Sequence, residues 1–218
     1  MADLRARLAR LDSCVVSDAL DKLGLTGVAT GLTRLSTDRK LAGPVLTVKL
    51  ESANGRLAER HLCTAAIEAA VPGNILVVEH HSRIDCAGWG GILSKAALVK
   101  GIAGVIVDGL CRDIDESREL GFTVFARGVI PATARGRVIE TSFNTPVTVD
   151  SIVVRPADWV IADGSGVVFL KQENLEAILD QAEQLVAREA LLVKDIEEGI
   201  PVSQVMSRTY EHMTRKDD

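Results

Sequence analysis

The spacing of apolar positions changes several times along the chain, and each change marks an element. In "DLRARLARLDSCVVSDALDKLG" (3–24), leucines, Val15, Val16 and Ala19 recur at helical spacing. Two short helices are predicted, meeting at Asp12-Ser13, where Asp or Ser can cap the second and Gly24 stops it. "LAGPVLTVKL" (41–50) reads as a strand after a Gly-Pro turn. "GRLAERHLCTAAIEAAVPG" (55–73) has the 3.6-residue period of a helix closed by Pro72-Gly73, and "NILVVEHH" (74–81) is the continuous apolar run of a buried strand.

A glycine-rich turn, "CAGWGG" (86–91), leads into a helix, "ILSKAALVKG", ending at Gly101. "AGVIVDG" (103–109) is another buried strand, and "RDIDESRELG" (112–121) a short helix. "FTVFARG" and "PVTVDSIVVRPADWVIADGSGVVFL" predict strands and hairpins, with Asp163-Gly164 as a turn. One amphipathic helix spans about 172–199, and the polar tail "SRTYEHMTRKDD" is expected to fray. Without a linker or repeat, residues 1–218 read as one α/β domain. The final helix is long for packing on its own domain, and from its many charges it is expected to reach a neighbouring subunit; a solvated face is the plainer alternative.

Composition narrows the function classes. A formal net charge of -5 lacks the basic footprint of a nucleic-acid binder. No apolar stretch reaches the roughly 18–20 residues of a membrane span, and the N-terminus has no signal-peptide core. Cys14, Cys63, Cys86 and Cys111 form no CxxC pair, which predicts a reduced, cytoplasmic protein without structural zinc. Cys111, beside Arg112, is either a thiol of lowered pKa or a buried bystander.

The chemistry gathers at two turns. Parallel strands in an α/β arrangement send their C-terminal ends to one edge. If strands 74–81 and 103–109 are neighbours, "CAGWGG" and "GLCRD" share a crevice. The backbone N–H groups of Gly90, Gly91, Ile92 and Leu93 then open a helix toward an anion. Arg112 can grip a carboxylate through two parallel hydrogen bonds, and Asp113 can hold a divalent cation. Together they suit a small 2-oxo acid. The plainer reading is a solvated arginine beside an aspartate capping a helix. A Schiff-base lysine at Lys95 or Lys100 is a rival chemistry.

"GWGGILSKAALVKGIAGVIVDGLCRDIDE" (88–116) resembles the signature of the RraA-like family, which includes the regulator of ribonuclease activity A and class II pyruvate aldolases acting on 4-hydroxy-4-methyl-2-oxoglutarate. The family pattern is a Gly or Asp, twenty residues, Arg-Asp, two residues, then Glu or Asp; here it reads Gly91, Arg112-Asp113, Glu116. "VSDALDKLG", "LAGPVLTVK" and "PADWVIADGSGVVFL" resemble family stretches in the same order. The resemblance implies a layered α/β/β sandwich of the swivelling-domain type, assembled as a homotrimer or hexamer. It implies Mg²⁺ or Mn²⁺ on Asp113, substrate on Arg112 and the amides of residues 90–93, and an enolate steadied by Arg112. Glu116 would be supporting, and Glu189 would match an acid presented from an adjacent subunit. Aldolases proper carry an acid where this chain has Gly91. The metal site is therefore expected to be kept and the substrate or the base altered, with His80, His81, Arg83 or Asp85 as candidate replacement acids or bases; the plainer reading of His81 is an exposed strand-end histidine. The implied activity is C–C cleavage of a pyruvate-derived oxo acid, by aldol cleavage or oxaloacetate decarboxylation. The alternative is a non-catalytic oligomer that inhibits a ribonuclease by contact.

Overall fold

The computed structural model describes residues 2–206. Helices α1 (Ala2–Arg10) and α2 (Ser13–Leu23) come first. The Asp12 carboxylate accepts the Val15 N–H at 2.9 Å, and Gly24 ends α2 in the left-handed region, as their residue types predict. Two short strands, β1 (Val28–Ala29) and β2 (Thr33–Arg34), precede the long β3 (Leu41–Ser52). Next come α3 (Thr64–Ala69), β4 (Ile75–Ala87), α4 (Gly91–Val99), β5 (Gly104–Cys111), α5 (Ile114–Glu119) and β6 (Thr123–Val129). After β7 (Val138–Phe143) follow two hairpins, β8 (Val147–Val149) with β9 (Ile152–Val154) and β10 (Trp159–Ala162) with β11 (Val167–Leu170). A 3₁₀ turn (Gln172–Asn174) leads into α6 (Leu175–Glu197), and α7 (Val202–Val205) follows.

The strands β3, β4, β5 and β6 are parallel neighbours, each crossover supplied by a helix. Antiparallel β2 flanks β6, while β10, β11 and β1 extend the sheet from β3, whose far half also carries β7. Continuous apolar runs arise because both faces are covered. Leu76, Val78, Val105, Val107 and Val124 pack toward α3 and α4, in the cluster holding Ala66, Trp89, Leu93 and Phe122. Their alternates Ile75, Val77, Ile106 and Phe125 meet Val147, Val149 and Val154 of the β8–β9 hairpin. A third cluster packs α1, α2 and α6 on Trp159, Ile161, Val168 and Leu170. A mixed α/β fold with a long C-terminal helix is thus what the sequence predicts.

Two boundaries differ, and three strands are additional. The helix expected over 55–73 is only Thr64–Ala69. Asn54, Gly55 and Cys63 have positive φ, and the Cys63 N–H is taken by the Glu140 carboxylate at 2.6 Å, so the chain turns there. Strand β4 runs past His81 to Ala87, because His81 and Ser82, both at φ 52°, form a bulge that lets it continue. β1, β2 and β7 carry no clear alternation and were not expected. The tail at 207–218 lies outside the described residues. Among the described residues no helix is long and apolar enough to cross a membrane.

Candidate functional site

Strands β4 and β5 pair in parallel, Val77 opposite Ile106, so the turns that follow them leave the same sheet edge. They are tied together by backbone. Gly88 N–H donates to Leu110 O at 2.8 Å, and Arg112 N–H to Trp89 O at 3.0 Å. Both turns line one cleft of about 360 Å³, together with His61, Leu62 and the segment Thr133–Arg135.

Asp113 sits just before α5 at φ 55°, a conformation Asp tolerates better than most residues. Its side chain does not cap α5. It turns back instead, and Oδ2 accepts the Gly91 N–H at 3.1 Å and Arg112 Nε at 3.0 Å. Among the described residues Oδ1 accepts nothing, and neither Nη of Arg112 has a partner. Gly90 precedes α4 as extended backbone and offers no side-chain cap, so the N–H groups of Ile92 and Leu93 in the first turn are left uncapped, and both residues line the cleft.

Buried side chains hold this arrangement. Trp89 Nε1–H donates to Ser94 Oγ at 2.8 Å, and its ring stacks with Phe122 at 6.1 Å between centroids. Ser94 Oγ lies 2.9 Å from Ser117 Oγ, joining α4 to α5 behind the site. A Cβ at Gly91 would meet the end of the Glu116 side chain, an exposed and flexible group that can swing aside.

Of the predicted residues, Gly90, Gly91, Ile92, Leu93, Arg112 and Asp113 line the cleft. Glu116 borders Gly91 from outside it. His81 lies apart, its Nδ1 3.4 Å from Glu79 Oε1, and Arg83 and Asp85 pair with each other at 2.6 Å. His80 is fully buried, with Nε2 3.0 Å from Cys86 O, and burial lowers its pKa. Glu189 lies on α6, where burial and the charges of Asp18 and Asp12 raise its pKa, and within one chain it does not line the cleft. Lys95 and Lys100 are exposed along a separate groove. Cys111 is fully buried and burial pushes its thiol up, so it is the bystander. His61 and Arg135 were missed: both lie in loops, and no spacing links them to the two turns.

A divalent cation must be judged against these donors. Among the described residues no three His, Cys, Asp or Glu side chains gather as a cage. One carboxylate with an open oxygen fits a hard cation that keeps most of its waters, as Mg²⁺ does, and not a zinc-type cage.

The chain is similar to known proteins over most of its length. Residues 13–169 match the family model RraA-like, described as Aldolase/RraA. A Halalkalibacterium halodurans protein named "Putative 4-hydroxy-4-methyl-2-oxoglutarate aldolase" is 27% identical over 198 residues, 91% of this chain and 90% of that protein. Protein DlpA of Legionella pneumophila is 26% identical over 204 residues, 94% of this chain, which spans 33% of its length. The crystal structure of Streptomyces coelicolor RraAS2, described as an unusual member of the RNase ES inhibitor RraA protein family, superposes with a TM-score of 0.80. It is 27% identical, and the match covers 88% of this chain and 96% of that one.

Proposed function

The chain belongs to the RraA-like family, and from that premise we propose that it is a divalent-metal-dependent lyase. Its substrate is a pyruvate-derived 2-oxo acid, cleaved at a C–C bond as a 4-hydroxy-4-methyl-2-oxoglutarate-type aldolase, an oxaloacetate decarboxylase, or both. The observation that carries this reading is the Asp113 carboxylate, held by Gly91 and Arg112 through one oxygen with the other left open.

The chain's own groups divide the work. The N–H groups of Ile92 and Leu93 and the two Nη groups of Arg112 bind the carboxylate of the oxo acid, a geometry that fits two oxygens at once. The Asp113 carboxylate holds the cation, Mg²⁺ or Mn²⁺, which when bound polarises the 2-oxo group as a Lewis acid. Cleavage leaves its electron pair on the pyruvate fragment as an enolate. The Arg112 charge, fixed before the reaction, lies beside that developing negative oxygen. In oxaloacetate the C3–C4 bond breaks, CO₂ leaves, and C3 is then protonated. No alcohol proton has to be removed, so this reaction suits a site with glycine at 91.

Self-association belongs to the same proposal. Leu191, Val193 and Ile196 on α6, with Val202 beyond it, are exposed apolar residues, which supports the expectation that the helix meets another copy, as a trimer or hexamer. A second reading, a ribonuclease inhibitor acting by contact, is supported by the likeness to RraAS2. Pyruvate release from 4-hydroxy-4-methyl-2-oxoglutarate and oxaloacetate, with Mg²⁺ or Mn²⁺, separates the two. Release above the metal-only rate supports the lyase. Its absence together with inhibition of a ribonuclease supports the regulator.

A further inference from the structure

The cleft is longer than the Arg112–Asp113 end requires. A second cavity of about 220 Å³ shares His61, Leu62, Thr133, Ala134 and Arg135 with it and continues to Arg56 and Arg60, but includes neither Arg112 nor Asp113. The shared residues thus lie where the cleft meets the second cavity. Among the described residues, no carboxylate lines the second cavity.

The charges at that end are not equivalent. Arg60 Nε lies 3.3 Å from Glu140 Oε1, and Arg56 Nη2 3.6 Å from Glu51 Oε2. Arg137 Nη1 donates to Thr133 O at 2.8 Å. Among the described residues, nothing accepts from the Arg135 guanidinium. Its backbone is nevertheless held in place. The Arg135 N–H donates to Thr133 Oγ1 at 3.3 Å, and Arg137 and Val138 N–H both turn back to Ala134 O. The segment before it is tied to the site strands: Ala87 N–H donates to Ala132 O at 3.0 Å, and Ile130 N–H to Cys111 O at 2.9 Å. Arg135 is thus an unneutralised cation on a backbone tied to the ends of β4 and β5, the two strands that lead to Gly91 and Arg112.

We propose that Arg135 binds a second carboxylate of the substrate and makes the site selective for dianionic over monoanionic 2-oxo acids. The inference rests on the reading of the Arg112 end as the oxo-acid site. There Arg112 already has an acidic partner in Asp113 and gains the 2-oxo acid carboxylate as a second. Arg135 has no acidic partner among the described residues, and a carboxylate on the far end of the ligand supplies one. A cleft of about 360 Å³ has room for a short-chain diacid. Arg135 is exposed and outside the core, so replacing it leaves packing intact.

The test is calorimetric titration of the full chain, with Mg²⁺ present, by two probes sharing one head group: 2-oxobutyrate and 2-oxoglutarate. The wild type should bind 2-oxoglutarate about ten-fold more tightly, the scale of one charge-assisted hydrogen bond. Arg135→Gln should remove that preference and leave 2-oxobutyrate affinity unchanged, and Arg135→Lys should restore part of it. A preference that survives in Arg135→Gln, or none in the wild type, overturns the inference. Arg112→Gln separates the two levels. If it abolishes binding of both probes while Arg135→Gln changes nothing, the oxo-acid site stands and this inference alone fails. If Arg112→Gln changes neither affinity, the underlying reading fails with it.

Discussion

The Asp113 carboxylate accepts the amide N–H of Gly91 at 3.1 Å, joining two turns that lie 22 residues apart in sequence. The same oxygen holds Arg112, so a single acid fixes both the Gly91 amide and the arginine. Asp113→Asn keeps the volume and an acceptor but removes the charge. It should lower Mn²⁺ affinity by on the order of ten-fold or more, read by the paramagnetic resonance of free Mn²⁺, with little change in melting temperature.

A side chain at Gly91 would lie beside the exposed end of Glu116, which can move aside. Gly91→Asp would put a second carboxylate next to that of Glu116, so like-charge repulsion between exposed groups remains. It should destabilise the chain by no more than about 1 kcal/mol. Combining it with Glu116→Ala should recover part of that loss, with a coupling energy of about 0.5 kcal/mol in a denaturation cycle. Strict additivity would mean that the two positions do not interact.

Ser94 is the acceptor for the Trp89 indole N–H, and both residues are buried. Ser94→Ala leaves that donor without an acceptor inside the core. The expected cost is about 1–3 kcal/mol in urea denaturation, more than an exposed serine would give.

How far the sequence foretells this molecule depends on the element. Strands β4 and β5 are legible because both their faces are covered, and a run such as Ile75–Val78 can hardly be read otherwise. Their adjacency, and hence the meeting of Gly91 with Asp113, follows from the crossover rule. The loop at 53–63 defeats periodicity, because its conformation is set by Glu140, 77 residues from Cys63. Arg135 is hidden for the same reason: only the pairing of its loop with β4 and β5 brings it to the cleft. Even the direction of Asp113 was open, since an aspartate before a helix ordinarily caps it.

Glu140 predicts a pH dependence. Its side chain is without exposure, and burial raises its pKa despite the Cys63 N–H and Arg60, which pull it down. A carboxyl whose pKa is higher folded than unfolded contributes stability that is full below the unfolded value and lost as pH rises through the folded one. Relative to Glu140→Gln, the wild type should therefore lose stability as pH rises above the ordinary value of 4.5. A constant difference between the two across that range would contradict this assignment.

The exposed face of α6 yields a prediction about assembly. Leu191 is 64% exposed and Ile196 45%. Leu191→Glu with Ile196→Glu should shift the mass from light scattering to that of a smaller species, with the far-ultraviolet circular dichroism of the chain retained. An unchanged mass would place the contact elsewhere or show that none exists.

The central claim is that Asp113 and Arg112 form a metal-assisted site for cleaving a 2-oxo acid. Its most direct test is pyruvate release from oxaloacetate with and without Mg²⁺ or Mn²⁺, for the wild type and Asp113→Ala. The account predicts turnover by the wild type above the metal-only rate, dependent on the cation and lost in Asp113→Ala. Wild-type turnover that persists undiminished in Asp113→Ala, or that needs no cation, would contradict it.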